Sequence, residues 1–244
     1  MSPATKALRT PSLSSVFQTL LADIVSGRYP AGSNLPAERE LSRKLGASRP
    51  TLREALRRLG EWGLVEPRRG SGVVVRPWDD WAIDVLPAYL RFAAAQRGPH
   101  ELLRAITDLL AIRRLLFLDV IRLVAPHVQP TALAEAHAAA LRAWAVRADH
   151  AAFVREDFLL VRAIARAGRF LPALWLLNKL ADVYFELASS LVTPAMVPEG
   201  YLASWTRILE ALATRDGELA ARLLGEYLDE HDRNLITALT GVAP

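Results

Sequence analysis

The sequence predicts a mainly α protein, with an N-terminal winged helix-turn-helix followed by a C-terminal all-helical bundle. Three observations carry that expectation. Apolar residues recur at helical spacing along nearly the whole chain. One short stretch, residues 64–76, instead has β-prone runs around a Gly-Ser-Gly turn. Charge is also unevenly divided: residues 1–76 hold 13 Lys and Arg against 6 Asp and Glu, a net +7, and the remainder holds 17 against 20, a net −3. A small basic head joined to a slightly acidic body is the pattern of a polyanion-binding module attached to something else.

The elements follow in order. Leu13, Val16, Phe17, Leu20, Leu21 and Ile24 make one buried stripe of a helix over 13–26, which Gly27 ends. RYPAGSNLP supplies a loop, and a short second helix over 37–45 follows Pro36 and closes at Gly46. Ser48 is a good N-cap and Pro50 lies in a first turn, where its missing N–H is harmless, so a third helix runs over 49–62. On it Leu52, Leu56 and Leu59 share one face, and Arg49, Arg53 and Arg57 share another. Residues 64–67 and 73–76 then form a hairpin around Arg68-Arg69-Gly70-Ser71-Gly72. A turn of Gly46, Ala47 and Ser48 presents the third helix to a DNA major groove, and the basic hairpin reaches adjacent backbone or the minor groove.

Beyond Arg76 strand signals vanish. RPWDDW reads as a linker, and helices are expected over 81–92, 100–124, 131–148, 151–167, 171–191, 199–213 and 216–238. The expected organisation is a DNA-binding domain at 1–76, a linker and first helix at 77–98, and an effector-binding and dimerisation domain at 99–244. No cysteine is present, which removes disulfides and thiolate metal sites. MSPATKALRT lacks the apolar core of a signal peptide, and the longest apolar run is broken by Arg113, Arg114, Asp119 and Arg122, so the expected location is the cytoplasm, at the bacterial nucleoid, without a membrane partner. Neither HExxH, a Rossmann fingerprint nor a nucleophile elbow occurs, so catalysis is not expected.

The segment LPAERELSRKLGASRPTLREALRRLGEWGLVEPRRGSGVVV resembles the GntR family of bacterial transcriptional regulators in its charged positions as well as its apolar frame. The resemblance spans about residues 13–76. It implies a double-stranded DNA partner, a palindromic operator bound by a homodimer, with Arg39, Ser48, Arg49, Thr51, Arg53, Arg69 and Gly70 as the contacting residues. Arginine pairs bidentately with guanine O6 and N7, and a glycine at the wing tip lets backbone approach the minor groove.

The helical remainder looks like the FadR branch of that family. Many members of the branch are similar to one another in holding a divalent metal with one Asp and three His. Here Leu159 or a neighbour, Trp205 and Tyr227 occupy the histidine slots, so no metal or other cofactor is expected. LLNKLADVY resembles the fatty-acyl-CoA-responsive members. The resemblance implies a repressor whose operator affinity is set by a small acidic metabolite, a fatty acyl-CoA being one candidate, with Arg113, Asp157, Asn178, Tyr184, Trp205 and Tyr227 as the effector site. Arg113 either meets the effector's acid group or is satisfied by Asp119, Asp157 or solvent; Trp205 and Tyr227 either line a pocket or belong to the core. A metal-dependent, organic-acid-responsive regulator and a nonspecific DNA-binding protein are the alternatives.

Overall fold

The computed structural model describes residues 11–190 and 197–240; MSPATKALRT and Leu191, where one helix was expected to end, lie outside them. The chain divides into two compact units, residues 1–97 and 98–244.

The first unit begins with α1 (Leu13–Val25), α2 (Glu38–Leu45) and α3 (Arg49–Glu61), followed by a hairpin of β1 (Val65–Arg68) and β2 (Gly72–Val75). Each boundary lies within two residues of its expected place. Ser12 caps α1 through Ser15 N and Ser48 caps α3 through Thr51 N, satisfying donors that have no intrahelical acceptor. Gly46 ends α2 with φ 65°, a conformation that admits glycine at little cost. Leu20, Leu52, Leu59 and Leu64 are fully buried and join α1, α3 and the hairpin; each such side chain contributes roughly 1.5–3 kcal/mol. Phe17 stands edge-on to Trp62, with ring centroids 4.8 Å apart.

Two segments depart from expectation. The loop after α1 joins the hairpin: Leu35 N donates to Val73 O at 2.8 Å and Val75 N to Ser33 O at 2.9 Å, so β2 has neighbours on both edges. Residues 77–97, expected to link the domains and begin the bundle, pack on the head instead. Two 3₁₀ turns precede α4 (Leu86–Phe92), and Trp81, Val85, Ala88, Tyr89 and Phe92 all join the head's core. Gly63 makes this possible, because a Cβ there would sit 2.4 Å from Asp80 O, and its φ is 76°. Ala82 N donates to Trp62 O, and Trp81 Nε1 to Arg76 O.

The second unit comprises α5 (Pro99–Val124), α6 (Ala134–Ala145), α7 (His150–Ala167), α8 (Leu171–Ser190), α9 (Tyr201–Ala213) and α10 (Gly217–Thr240). α10 lies between α5 and α9, α6 between α7 and α9, and α8 on α7. The alanine-rich sequence of α6 is a packing device as well as a helix former: Ala136, Ala139, Ala140 and Ala143 are buried and let α7 approach closely. Along α5 and α10, Arg122 pairs with Glu218 at 3.1 Å, Arg114 with Asp229 at 2.6 Å, and Arg113 with Asp232. None of the described helices is long and apolar enough to cross a membrane.

Candidate nucleic-acid interface and effector site

In the first unit, helix geometry gathers the expected DNA contacts on α2, the first turns of α3 and the hairpin tip. Arg39, Ser48, Arg49 and Arg53 are exposed, as are Arg69 and Gly70. Thr51 is half-buried, and its hydroxyl lies 2.7 Å from Ser48 Oγ. The pair fixes the start of α3, and a threonine proton can still be turned outward to a phosphate. Gly70 takes φ 78° with open space where a Cβ would point, so the tip offers bare backbone.

The arginines on α3 carry different electrostatic loads. Arg57 donates through Nε and Nη2 to Glu54, at 2.9 and 2.6 Å, and through Nη1 to Glu61. The hydrogen bond from Arg57 holds the Glu54 carboxyl at about 2, below its ordinary 4.5, with Arg58 adding to the effect. Arg53 donates through Nε to Glu38 Oε2 of α2 at 2.8 Å. Arg68 pairs with Glu66, and Arg76 with Asp80. The composition shows a basic head; only the fold shows which of its cations are already matched.

In the second unit, five helices converge on a polar centre enclosed by aromatic rings. Arg113 of α5 donates to Asp232 of α10, leaving its buried Nε without an acceptor. Asp157 of α7 accepts from the hydroxyl of Tyr201 on α9 at 2.9 Å. Tyr201 is fully buried; its ring lies 6.5 Å from Trp205 and 6.1 Å from Tyr227, and those two are 5.5 Å apart. Tyr184 of α8 stacks on Phe158 at 5.5 Å. Burial pushes the Asp157 carboxyl up to about 6, against the opposing pull of the Tyr201 hydroxyl and the Arg113 charge. Burial likewise raises Asp232 and the phenols of Tyr184, Tyr201 and Tyr227.

Five of the six effector candidates therefore meet: Arg113, Asp157, Tyr184, Trp205 and Tyr227. Asn178 is exposed on α8, on a different side of the helix from Tyr184. The acid on Arg113 is Asp232, in place of the Asp119 or Asp157 considered from sequence; Asp119 pairs with Arg122 at 3.0 Å. Leu159 is 43 % exposed and points away from the centre, whereas Val161, one helical turn beyond Asp157, is packed inward. Sequence reasoning missed Tyr201 and Asp232. The pair Asp229 and Asp232, one turn apart on α10 and opposite Arg113 and Arg114, was the available signal. Among the described residues no three His, Cys, Asp or Glu side chains come together to hold a metal ion. A cavity of about 160 Å³ beside Tyr227 is lined also by Ser204, Arg207, Leu223, Glu226 and Glu230.

Residues 13–75 match the family model for bacterial regulatory proteins, gntR family, and residues 108–230 match the FCD domain. The chain is 29 % identical over 231 residues to the HTH-type transcriptional regulator Mce2R of Mycobacterium tuberculosis, covering 93 % of each chain. It is 31 % identical over 211 residues to the fatty acid metabolism regulator protein of Edwardsiella ictaluri, covering 85 % of this chain and 84 % of that one. Among solved structures, Lar, described as controlling expression of the Listeria monocytogenes agr system, aligns over 98 % of this chain and 100 % of its own, with a TM-score of 0.50 and 16 % identity; that likeness concerns the fold alone.

Proposed function

The chain belongs to the GntR family of bacterial regulatory proteins and carries an FCD domain, and from that premise we propose that this DNA-binding transcriptional regulator is a repressor whose hold on a palindromic operator is set by a small acidic effector bound in its helical unit. The observation that carries the effector reading is the buried Arg113 Nε with no acceptor, placed among aromatic rings beside Asp157. An unmet buried donor costs about 1–3 kcal/mol, and an acid group delivered there would recover it. The effector's carboxylate or phosphate engages Arg113, Tyr184, Trp205 and Tyr227 border its apolar part, and Asn178 would meet it only at the protein surface.

The cavity of about 160 Å³ lies between α9 and α10, and of the effector candidates only Tyr227 lines it. Arg113 Nε is buried, so an acid group that reaches it parts the helices around it, and that movement is the signal. α5 carries Arg113 and starts at Pro99, directly after the last residues of the first unit, so a shift of α5 is delivered to the DNA-binding unit through the chain itself. The relative named for fatty acid metabolism makes a fatty acyl-CoA the first ligand to test. Ile112, Leu115, Leu116 and Leu123 are exposed on α5, and an apolar row of this kind supports a second copy as partner. We place the regulator's action in the cytoplasm, on nucleoid DNA.

Native mass spectrometry of the full chain, titrated separately with a long-chain acyl-CoA and with zinc, tests the reading. A dimer retaining one acyl-CoA per subunit, lost on Arg113→Leu, is the expected result. A protein indifferent both to acyl-CoA and to a panel of small organic acids would overturn the effector reading, and stoichiometric zinc would restore the metal-dependent alternative.

A further inference from the structure

The three arginines on the outer face of α3 are sorted by their ion pairs. Arg57 commits three of its five donors to carboxylates of its own helix, Glu54 and Glu61, so its charge is matched twice over. Arg49 is exposed in the first turn, and no carboxylate of the described residues holds it. Arg53 lies between these cases: its ion pair with Glu38 runs through Nε alone.

A guanidinium donates five hydrogen bonds from a rigid plane. When Nε–H is committed, the terminal Nη1 and Nη2 groups remain as an outward fork whose spacing matches guanine O6 and N7. Glu38 is the first residue of α2, a separate element anchored by the buried Leu41, so the carboxylate does not move with α3's own side chains. Holding Nε there sets the plane of the fork and removes rotamer freedom that would otherwise be lost when DNA binds. We propose that Glu38 is a positioning residue that aims the terminal fork of Arg53 at a guanine, giving the regulator specificity at one base pair of each half-site. The inference rests on Arg53 being a base-reading residue.

The device has a characteristic signature. A carboxylate near the phosphate backbone weakens binding to every duplex, because it repels the polyanion. Glu38 therefore lowers affinity for all DNA while raising discrimination at one position, and removing it should separate the two. The pair is exposed on both sides, so it contributes little to folding and its loss is read in recognition.

The test presents full-length wild type, Glu38→Gln, Glu38→Ala and Arg53→Gln with a library of duplexes carrying a randomised centre, and measures selected sequences and affinities over a salt series. Glutamine still accepts from Nε, but as a neutral and weaker partner, and alanine does not accept at all. Guanine preference at one position should therefore fall in the order wild type, Glu38→Gln, Glu38→Ala, by on the order of fivefold or more for the last. Other positions should be unchanged and affinity for scrambled duplex equal or higher. Arg53→Gln should lose the same preference. If Arg53→Gln loses it while both Glu38 variants keep it, the positioning role is overturned and base reading by Arg53 stands. If Arg53→Gln keeps every preference, both fall. A uniform change across all positions in Glu38→Ala would likewise reduce Glu38 to a surface charge and overturn the inference.

Discussion

Replacing Asp157 with asparagine should make the helical unit more stable at neutral pH while leaving it unchanged in mild acid. In the native protein burial carries this carboxyl from the ordinary 3.8 to about 6, and neither the Tyr201 hydroxyl nor the Arg113 charge fully compensates. Each pH unit of displacement corresponds to about 1.4 kcal/mol, so keeping Asp157 ionised above its folded value costs about 3 kcal/mol relative to the unfolded chain. The sign follows from the direction of the shift. The folded state holds the proton more tightly, so the group's contribution is fully present below pH 4, declines between pH 4 and 6, and stays at the lower level above. Asparagine keeps an oxygen to accept from Tyr201 but has no proton to lose. Denaturant unfolding of both proteins at several pH values between 4 and 7.5 should give a difference near zero at the acid end that grows toward about 3 kcal/mol at neutrality. Asp232 is raised as well and tilts both curves alike, so the difference isolates Asp157. A difference that does not vary with pH would refute the reasoning, because the substitution would then be acting through packing alone.

Other outcomes follow from the same geometry. Gly63→Ala should destabilise the first unit by roughly 2–4 kcal/mol and red-shift Trp81 emission, since both the positive φ and the 2.4 Å approach of Asp80 O forbid a Cβ. Ser48→Ala should cost about 1 kcal/mol in thermal unfolding, by removing the acceptor for Thr51 N at the start of α3. Arg113→Leu should cost about 3 kcal/mol in denaturant unfolding because Asp232 is left unmatched, and adding Asp232→Leu should recover most of that loss. Arg49→Ala should weaken binding to all duplexes evenly and reduce the slope of log affinity against log salt by about one, as measured by fluorescence anisotropy.

Much of the molecule is written in short-range chemistry. The spacing of Leu13 to Ile24 is a helix wherever the rest of the chain goes, Ser48 and Pro50 start a helix from within its own first turn, and Gly70 and Gly72 turn a hairpin without help from distant residues. Because a winged helix-turn-helix is built from such local pieces, its elements could be placed from sequence, and so could the family. The polar centre of the helical unit was only partly legible, since its residues lie on separate helices: Tyr201 and Asp232 carried no local signal that joined them to Asp157 and Arg113.

Tertiary structure decided the pairings. Whether Arg113 meets Asp119, Asp157 or Asp232 depends on the register of α5 against α10, which spacing along neither helix contains. The loop residues Ser33, Asn34 and Leu35 carry no strand pattern that would foretell their bonding to the hairpin, and nothing local brings residues 77–97 onto the head; that docking needs Gly63 to lack a Cβ opposite Asp80. Spacing along α3 sets Glu54 and Glu61 beside Arg57, but the partner of Arg53, Glu38, arrives from another helix. Local conformation follows from each residue and its near neighbours, and a sequence displays both. The partner of a charge is settled by which surfaces the whole core brings together, so it appears only once the chain has closed on itself.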